Sequence, residues 1–321
     1  MKNNKCLFVL FFALLFFLFS NIFKEDAMGN QSIYDEIINV AQRENWKRVG
    51  IQEKNGNALE VMVYSFKDGK ATNIYSGRIG ELDASALISP DSKEVAFWLR
   101  DRPGVDTLSI VNIETHNLKK IIGIPEGFGL AWSSDSKRIA FVGALTKEDS
   151  AKFQHSLFVV DIKTGEIKSL PIGNIGSLTH QSFSPDDLKI VYVKSLGENN
   201  YITVYDLNKN ESLQLVEGNT PMWSLDGLQI AYLDADNGIS IISPDGKNKE
   251  KLIKSDVSSQ SESMEGMTMG PIYWFPNGEY LFYTKCLSSQ CEIGSPHVIR
   301  ISTRKSEEVS QYNWIFSSWS Q

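Results

Sequence analysis

One short pattern recurs along the chain at wide spacing, and it limits the fold more than anything else. Residues 130–143 read LAWSSDSKRIAFVG. Relatives are ALISPDSKEVAFWL (86–99), SFSPDDLKIVYVK (182–194), MWSLDGLQIAYLD (222–234) and IYWFPNGEYLFYTK (272–285). In each, Ile, Val, Phe, Tyr and Trp flank a small polar knot, as strands flank a turn. Ser first, Pro second, Asp or Asn third and Gly fourth suit a type I turn, because Pro presets φ and Ser or Asp can bond nearby backbone N–H groups. Ser89-Pro90-Asp91-Ser92 and Ser184-Pro185-Asp186-Asp187 match well, and Ser224-Leu225-Asp226-Gly227 lacks only the Pro. Phe275-Pro276-Asn277-Gly278 matches at three positions, and Ser133-Ser134-Asp135-Ser136 is the weakest form.

The turn residues at 91, 135, 186, 226 and 277 are 40–51 residues apart, which is the period of four-stranded propeller blades. Such a unit needs two more strands after each hairpin. The segments 107–123, 156–173, 201–218, 238–255 and 297–312 each read strand, polar turn, strand. A sixth copy of this second half lies at the front, in residues 59–77. Before it, KRVGIQEKNG (47–56) resembles the outgoing strand KRIAFVG (137–143) but has no incoming partner. WIFSSWSQ (314–321) aligns with GLAWSSDS and supplies that partner. Pairing it with the first strand removes an open sheet edge of unpaired N–H and C=O groups. The expected fold is therefore all-β: a six-bladed β-propeller of four-stranded blades over residues 47–321, closed by the C-terminal strand joining the N-terminal blade. One segment has helical period, SIYDEIINVAQRENW (32–46). Its Ile33, Ile37, Ile38, Val40 and Ala41 fall near one face, and Ser32 with Glu36 can start it. It predicts a short N-terminal helix within a linker over residues 28–46.

The N-terminus carries Lys2 and Lys5, then fourteen residues without a polar side chain, CLFVLFFALLFFLF (6–19), with charge returning at Lys24. This is the pattern of a secretory signal peptide. Two readings stand for residues 1–27. They form a cleaved signal ending near Ala27, or, since Glu25 spoils the cleavage pattern, an uncleaved membrane anchor through residues 6–23. Basic residues ahead of the segment place the rest of the chain outside the cytoplasm, periplasmic or extracellular. Cys6 precedes the apolar stretch, the wrong side for lipoprotein modification. Net charge is −7, which argues against binding phosphate backbones, so no nucleic-acid partner is expected.

The hairpin pattern (A/F/M)-W/F-S-P-D-G-x-x-I-A-F/Y resembles the repeat of TolB-type propellers, a WD-like repeat also found in prolyl-oligopeptidase-type enzymes. The resemblance covers residues 47–321. It implies a six-bladed ring with inner strands around a central channel and a periplasmic role. It is confined to the propeller. TolB proteins carry an α/β domain ahead of it, and the roughly 19 residues between Ala27 and the first strand leave no expected room for one. The hydrolase domain of the oligopeptidases carries a Gly-x-Ser-x-Gly elbow, which this sequence lacks.

The longer connections fall on one face of such a ring, around the channel mouth, and binding is expected there. They include GRIGELDAS (77–85), IPEGFG (124–129), GNIGSLTHQ (173–181), the stretch 255–271, RDRPGVD (100–106), GALTKEDSAKFQH (143–155), DADNG (234–238) and CLSSQCEIGSP (286–296). Candidate binding residues are Arg100, Asp101 and Arg102, three charges read as lying in a loop and suited to a partner's carboxylates. His180 is another, standing before an inner strand. Met264, Met267 and Met269 in MEGMTM suit an adaptable protein surface, Cu(I), or simple packing over the mouth. Cys286 and Cys291 close a local disulfide in an oxidising compartment or stay free thiols. Their spacing, even with His297, is not a zinc site. Asp234 and Asp236 look faintly like a calcium loop, but Gly238 stands at the fifth ligand position, so DADNG reads as a turn. Trp98, Trp132, Trp223 and Trp274 recur with the hairpins and belong to the core. With four histidines in the chain, metal catalysis is poorly supported and no cofactor or metal is expected. The leading expectation is a non-enzymatic scaffold that binds an envelope protein or peptide. The alternative is a propeller hydrolase or lyase acting on a small molecule or glycan at the channel mouth.

Overall fold

The computed structural model describes residues 32–54, 58–78, 82–173, 175, 180–254, 268–286, 294–309 and 318–320. The signal or anchor readings of residues 1–27 lie outside them. Helix α1 (Ile33–Arg43) leads into β1 (Lys47–Lys54), β2 (Ala58–Ser65) and β3 (Lys70–Arg78). Then follow β4 (Leu82–Ile88), β5 (Glu94–Arg102), β6 (Val105–Asn112) and β7 (Leu118–Ile124). Next are β8 (Glu126–Trp132), β9 (Arg138–Ala144), the short α2 (Lys147–Ala151), β10 (Ser156–Asp161) and β11 (Ile167–Ser169). After these come β12 (Gln181–Phe183), β13 (Lys189–Leu196), β14 (Asn199–Asp206), β15 (Glu211–Trp223), β16 (Ile230–Asp234), β17 (Ile239–Ile242) and β18 (Lys249–Ile253). The chain ends with β19 (Thr268–Trp274), β20 (Tyr280–Cys286), β21 (Gly294–Arg300), β22 (Ser306–Glu308) and β23 (Ser318–Ser320).

The repeated hairpin closes as its residues dictate. Backbone N–H of Ser92, Ser136, Asp187, Gly227 and Gly278 bonds the carbonyl three residues back, at 2.8–3.0 Å. Each of these residues has φ between +58° and +72°, a left-handed position after the type I turn, in a hairpin whose closing bond spans four residues, as from Ser89 N to Glu94 O. The first Ser donates to the Asp two residues on, in Ser89–Asp91, Ser133–Asp135, Ser184–Asp186 and Ser224–Asp226. Its oxygen accepts the N–H five residues on, from Glu94, Arg138, Lys189 and Gln229. The weak-looking SSDS turn makes every one of these bonds.

Among the described residues all pairing is antiparallel, and four of the sheets have four strands: β23-β1-β2-β3, β4 to β7, β8 to β11 and β19 to β22. The fifth has seven, β12 to β18. The repeat count predicts six separate four-stranded sheets, and the hydrogen bonding corrects this. No linker divides the fourth repeat from the fifth, so the chain continues as one 13-residue strand, β15. Its first half pairs with β14 up to Glu217, and its second half with β16 from Gly218. A bulge between Asn219 and Met222 then lies within the second ladder, as it does between β4 and β5, β8 and β9, and β19 and β20. At the chain ends, β23 does pair with β1, Ser318 opposite Val49 and Ser320 opposite Lys47.

Apolar faces of successive ladders meet in buried clusters. Val63 and Ile74 meet Val95 and Phe97; Trp98 and Ile110 meet Phe141 and Phe158. Ala140 and Leu157 meet Tyr192 and Tyr205; Val191 and Ile202 meet Trp223 and Tyr232; Ala231 and Ile239 meet Trp274 and Leu281. Between β19–β22 and β1–β3 the cluster is different: Ile33, Ile37 and Ala41 of α1, with Trp46, join Phe66, Phe275, Tyr280 and Val298. The helix is thus a packed element of the ring rather than a linker. Its N-cap also differs from expectation. Ser32 Oγ accepts from Asp35 N at 3.1 Å, while Glu36 turns inward to ion-pair with Arg300 and to accept from Tyr280 Oη at 3.0 Å.

Candidate functional site

The strands expose two faces of unlike chemistry. On the face of the short turns, polar groups satisfy one another and tie neighbouring turns together. Asp91 N donates to Ser136 Oγ at 3.1 Å. Ser134 N and Asp135 N donate to the two oxygens of Asp187, at 2.6 and 3.0 Å. Lys47 Nζ donates to Ser92 O at 3.2 Å. The Trp indoles serve the same end further in: Trp132 Nε1 donates to Leu87 O and Trp274 Nε1 to Met222 O, each bridging to the preceding inner strand. All four repeat-linked tryptophans are buried, as expected of core residues.

The opposite, long-loop face carries the candidate residues. Arg100, Asp101 and Arg102 do not form a loop. They end β5, which pairs on through Arg102 opposite Val105 around a tight turn at Gly104. The reason is that Pro103-Gly104 suffices for the reversal, so the flanking charges stay extended. Arg100 Nε donates to buried Asp106 at 2.8 Å, and the other Asp106 oxygen accepts Gly127 N of the next sheet at 3.0 Å. Arg100 is therefore in part a strut. Arg102 is exposed, and the Asp101 side chain lies outside the described residues. The expected loop at IPEGFG is likewise strand, β7 and β8 being separated by Pro125 alone.

His180 immediately precedes β12 and is exposed, yet protein atoms crowding the ring desolvate it and lower its pKa. Beside it Gln181 is buried, its Nε2 donating to Ala140 O at 3.2 Å. Its Oε1 has no hydrogen-bond partner among the described residues. Met264 and Met267 lie outside the described residues. Met269 falls within β19, beyond the loop in which the sequence places it, and its side chain lies outside the description. Cys286 ends β20, Cys291 lies outside the described residues, and with it the disulfide.

Two clusters on this face test chemistry directly. Asp234 and Asp236 hold no open cation position. Asp234 Oδ1 accepts the N–H groups of Asp236 and Gly238 at 3.0 Å, and Oδ2 accepts Ser240 Oγ at 2.7 Å. The Lys251 ammonium then sits 3.1 Å from Asp234 and 2.7 Å from Asp236, where a calcium ion would have to be. Burial alone would raise the Asp234 pKa, but the Ser240, Lys251 and Gly238 hydrogen bonds outweigh it and hold the carboxyl below its ordinary range. In the second cluster, Glu126 Oε2 meets both Ser150 Oγ at 2.8 Å and His155 Nε2 at 3.0 Å. Both groups address the carboxylate, so there is no serine–histidine relay of the kind nucleophilic catalysis needs. The cluster braces the loop that carries α2. That loop presents Phe153, 73% exposed and at φ +52°, a conformation a bulky residue rarely adopts. Sequence reading passed over Phe153 because an isolated Phe in a polar loop has no periodic signal. Among the described residues no group of three or more His, Cys, Asp or Glu is placed to hold a metal ion.

No family model matches the sequence, and no curated protein matches it. Solved structures do match in fold. TolB from Acinetobacter baumannii aligns at TM-score 0.65 and 14% identity, over 87% of this chain and 67% of that one. A putative TolB from Agrobacterium tumefaciens aligns at 0.55 and 15%, over 82% and 88%. An oligogalacturonate lyase from Vibrio parahaemolyticus aligns at 0.50 and 15%, over 81% and 88%. The chain therefore has an all-β propeller fold of the TolB-like kind.

Proposed function

We propose that this protein is an exported, non-enzymatic propeller scaffold that captures an envelope protein or peptide on its long-loop face. In this reading the seven-stranded sheet counts as two blades sharing β15, so the ring is six-bladed and β23 closes it. The observation that carries the reading is the contrast between the faces. Turn-face polar groups bond one another, whereas inner strand β12 starts after exposed His180, and further in the buried Gln181 carries an Oε1 without a partner among the described residues. A buried acceptor without a donor costs free energy, which a ligand N–H would recover. Phe153 adds a large exposed aromatic, the residue type that anchors interfaces. The N-terminal apolar stretch and the TolB-like fold support a periplasmic site of action.

The test is cross-linking and co-purification of residues 28–321 from envelope extracts. Replacing 264–269 with Gly and Ser, or combining Phe153→Ser with His180→Ala, is expected to leave folding intact and to cut capture about tenfold, the loss of one hot spot. Unchanged capture in both variants would remove the reading. The alternative, an enzyme working on a small molecule or glycan at the same mouth, draws on the fold likeness to the lyase and on His180. Turnover of a glycan panel that His180→Ala abolishes would favour it instead.

A further inference from the structure

We infer that the turn face lies against the membrane, so that the long-loop face points away from the bilayer. The inference rests on the anchor reading of residues 6–23. It starts from where the chain enters the ring. Ile33 N donates to Glu307 Oε2 at 2.8 Å, and Glu307 stands just past the 301–305 turn. Glu36 meets Arg300 and Tyr280, the turn-side ends of β21 and β20. Trp46 packs on Phe275 with ring centroids 5.9 Å apart, and its carbonyl accepts Phe66 N at the turn after β2. Helix α1 thus runs along the turn side of the last sheet to the first, and the chain before residue 32 leaves from that side.

Between the apolar segment ending at Phe23 and Ser32 lie only residues 24–31. Fully extended, they span about 29 Å. A strand such as β13 is about 26 Å long, and the ring is at least that tall. With the long-loop face on the bilayer, the linker would have to run nearly taut along the full height of the ring. With the turn face down it stays slack. The turn face also carries the apolar side chains such a placement needs. Leu188, Leu225 and Leu228 are 44%, 52% and 67% exposed. Their two turns touch, since a side chain at Gly227 would meet Pro185 at 3.5 Å. The equivalents of Leu188 and Leu228 in other turns are Lys93, Lys137 and Glu279, and Leu225 replaces a Pro or Ser. Asp186 and Asp226 between them bond their own Ser and backbone N–H groups, so they do not stand bare beneath the leucines.

The experiment uses the full chain reconstituted in vesicles of three parts phosphatidylethanolamine to one part phosphatidylglycerol. Flotation reports anchoring, and hydroxyl-radical footprinting by mass spectrometry reports orientation, with residues 28–321 free in solution as reference. Leu188 precedes β13 and Leu196 is its last residue, so the two mark its opposite ends and make a matched pair. Protection of Leu188, Leu225 and Leu228 by about threefold or more, with Leu196 and Phe153 nearly unchanged, is the expected result for apolar side chains held at a lipid surface. Floating vesicles with equal or reversed protection would overturn the orientation and leave the anchor standing. A chain that fails to float would overturn the anchor, and the orientation with it.

Discussion

Asp187 shows how much one turn residue can do. The fourth turn position favours Gly, because φ there is positive and a Cβ is strained; Asp187 has φ +59°. In return its carboxylate receives two backbone N–H bonds from the neighbouring SSDS turn. Asp187→Gly is expected to relieve the strain yet lower stability by about 1–2 kcal/mol, since charge-assisted bonds contribute more than the strain costs; the urea midpoint measures it. Lys251 is a second case. Asp234 is 4% exposed, so Lys251→Met strands a buried carboxylate and should cost about 3 kcal/mol at neutral pH. The Asp234 pKa is lowered by folding, so its contribution is present above the unfolded value of about 3.9 and is lost as pH falls through the folded one. The wild-type advantage over Lys251→Met should therefore shrink below about pH 4, and the double variant with Asp234→Asn should show little pH dependence of this kind. Stability–pH curves of the three proteins decide it.

Two elements carry more of the architecture than their length suggests. Strand β23 has three residues, yet it joins the end of the chain to the first sheet. Deleting residues 314–321 exposes the edge of β1 and should replace one sharp unfolding transition by a broad or split one. A truncated chain melting as sharply as the whole would show that closure contributes nothing. Helix α1 fills the seam that the other sheets close by direct contact. Its amphipathic face was legible in Ile33, Ile37 and Ala41, because a 3.6-residue period shows in sequence. Its partners were not, since Arg300 and Phe275 are more than 200 residues away and nothing in either neighbourhood marks them. Conversely, the fusion of two ladders through β15 is invisible in the repeat pattern, which gives strand identity but does not say whether a linker bends.

For the whole molecule, the two faces are built differently. Short turns with fixed Ser and Asp positions make a self-satisfied floor, and connections of varied length make the mouth. His180 could be placed from sequence because it abuts a recognisable strand. Arg100 and Arg102 were misplaced because Pro-Gly reads as loop punctuation, whereas two residues were enough and the charges continued the strand. The Gln181 oxygen that has no partner among the described residues and the exposure of Phe153 exist only once distant segments are assembled.

The sequence by itself determined the repeating strand order, the turn chemistry, the pairing of the two chain ends and the short helix. All of these are set by contacts between residues near in sequence or repeated in register, so the residue types declare them. Tertiary structure alone decided that α1 seals the last seam, that two repeats share one strand, that Lys251 takes the place of a cation between Asp234 and Asp236, and that the Gln181 oxygen is buried without a partner among the described residues. Each of these depends on which polar group finds which partner across a sheet boundary, and local sequence carries no term for that choice.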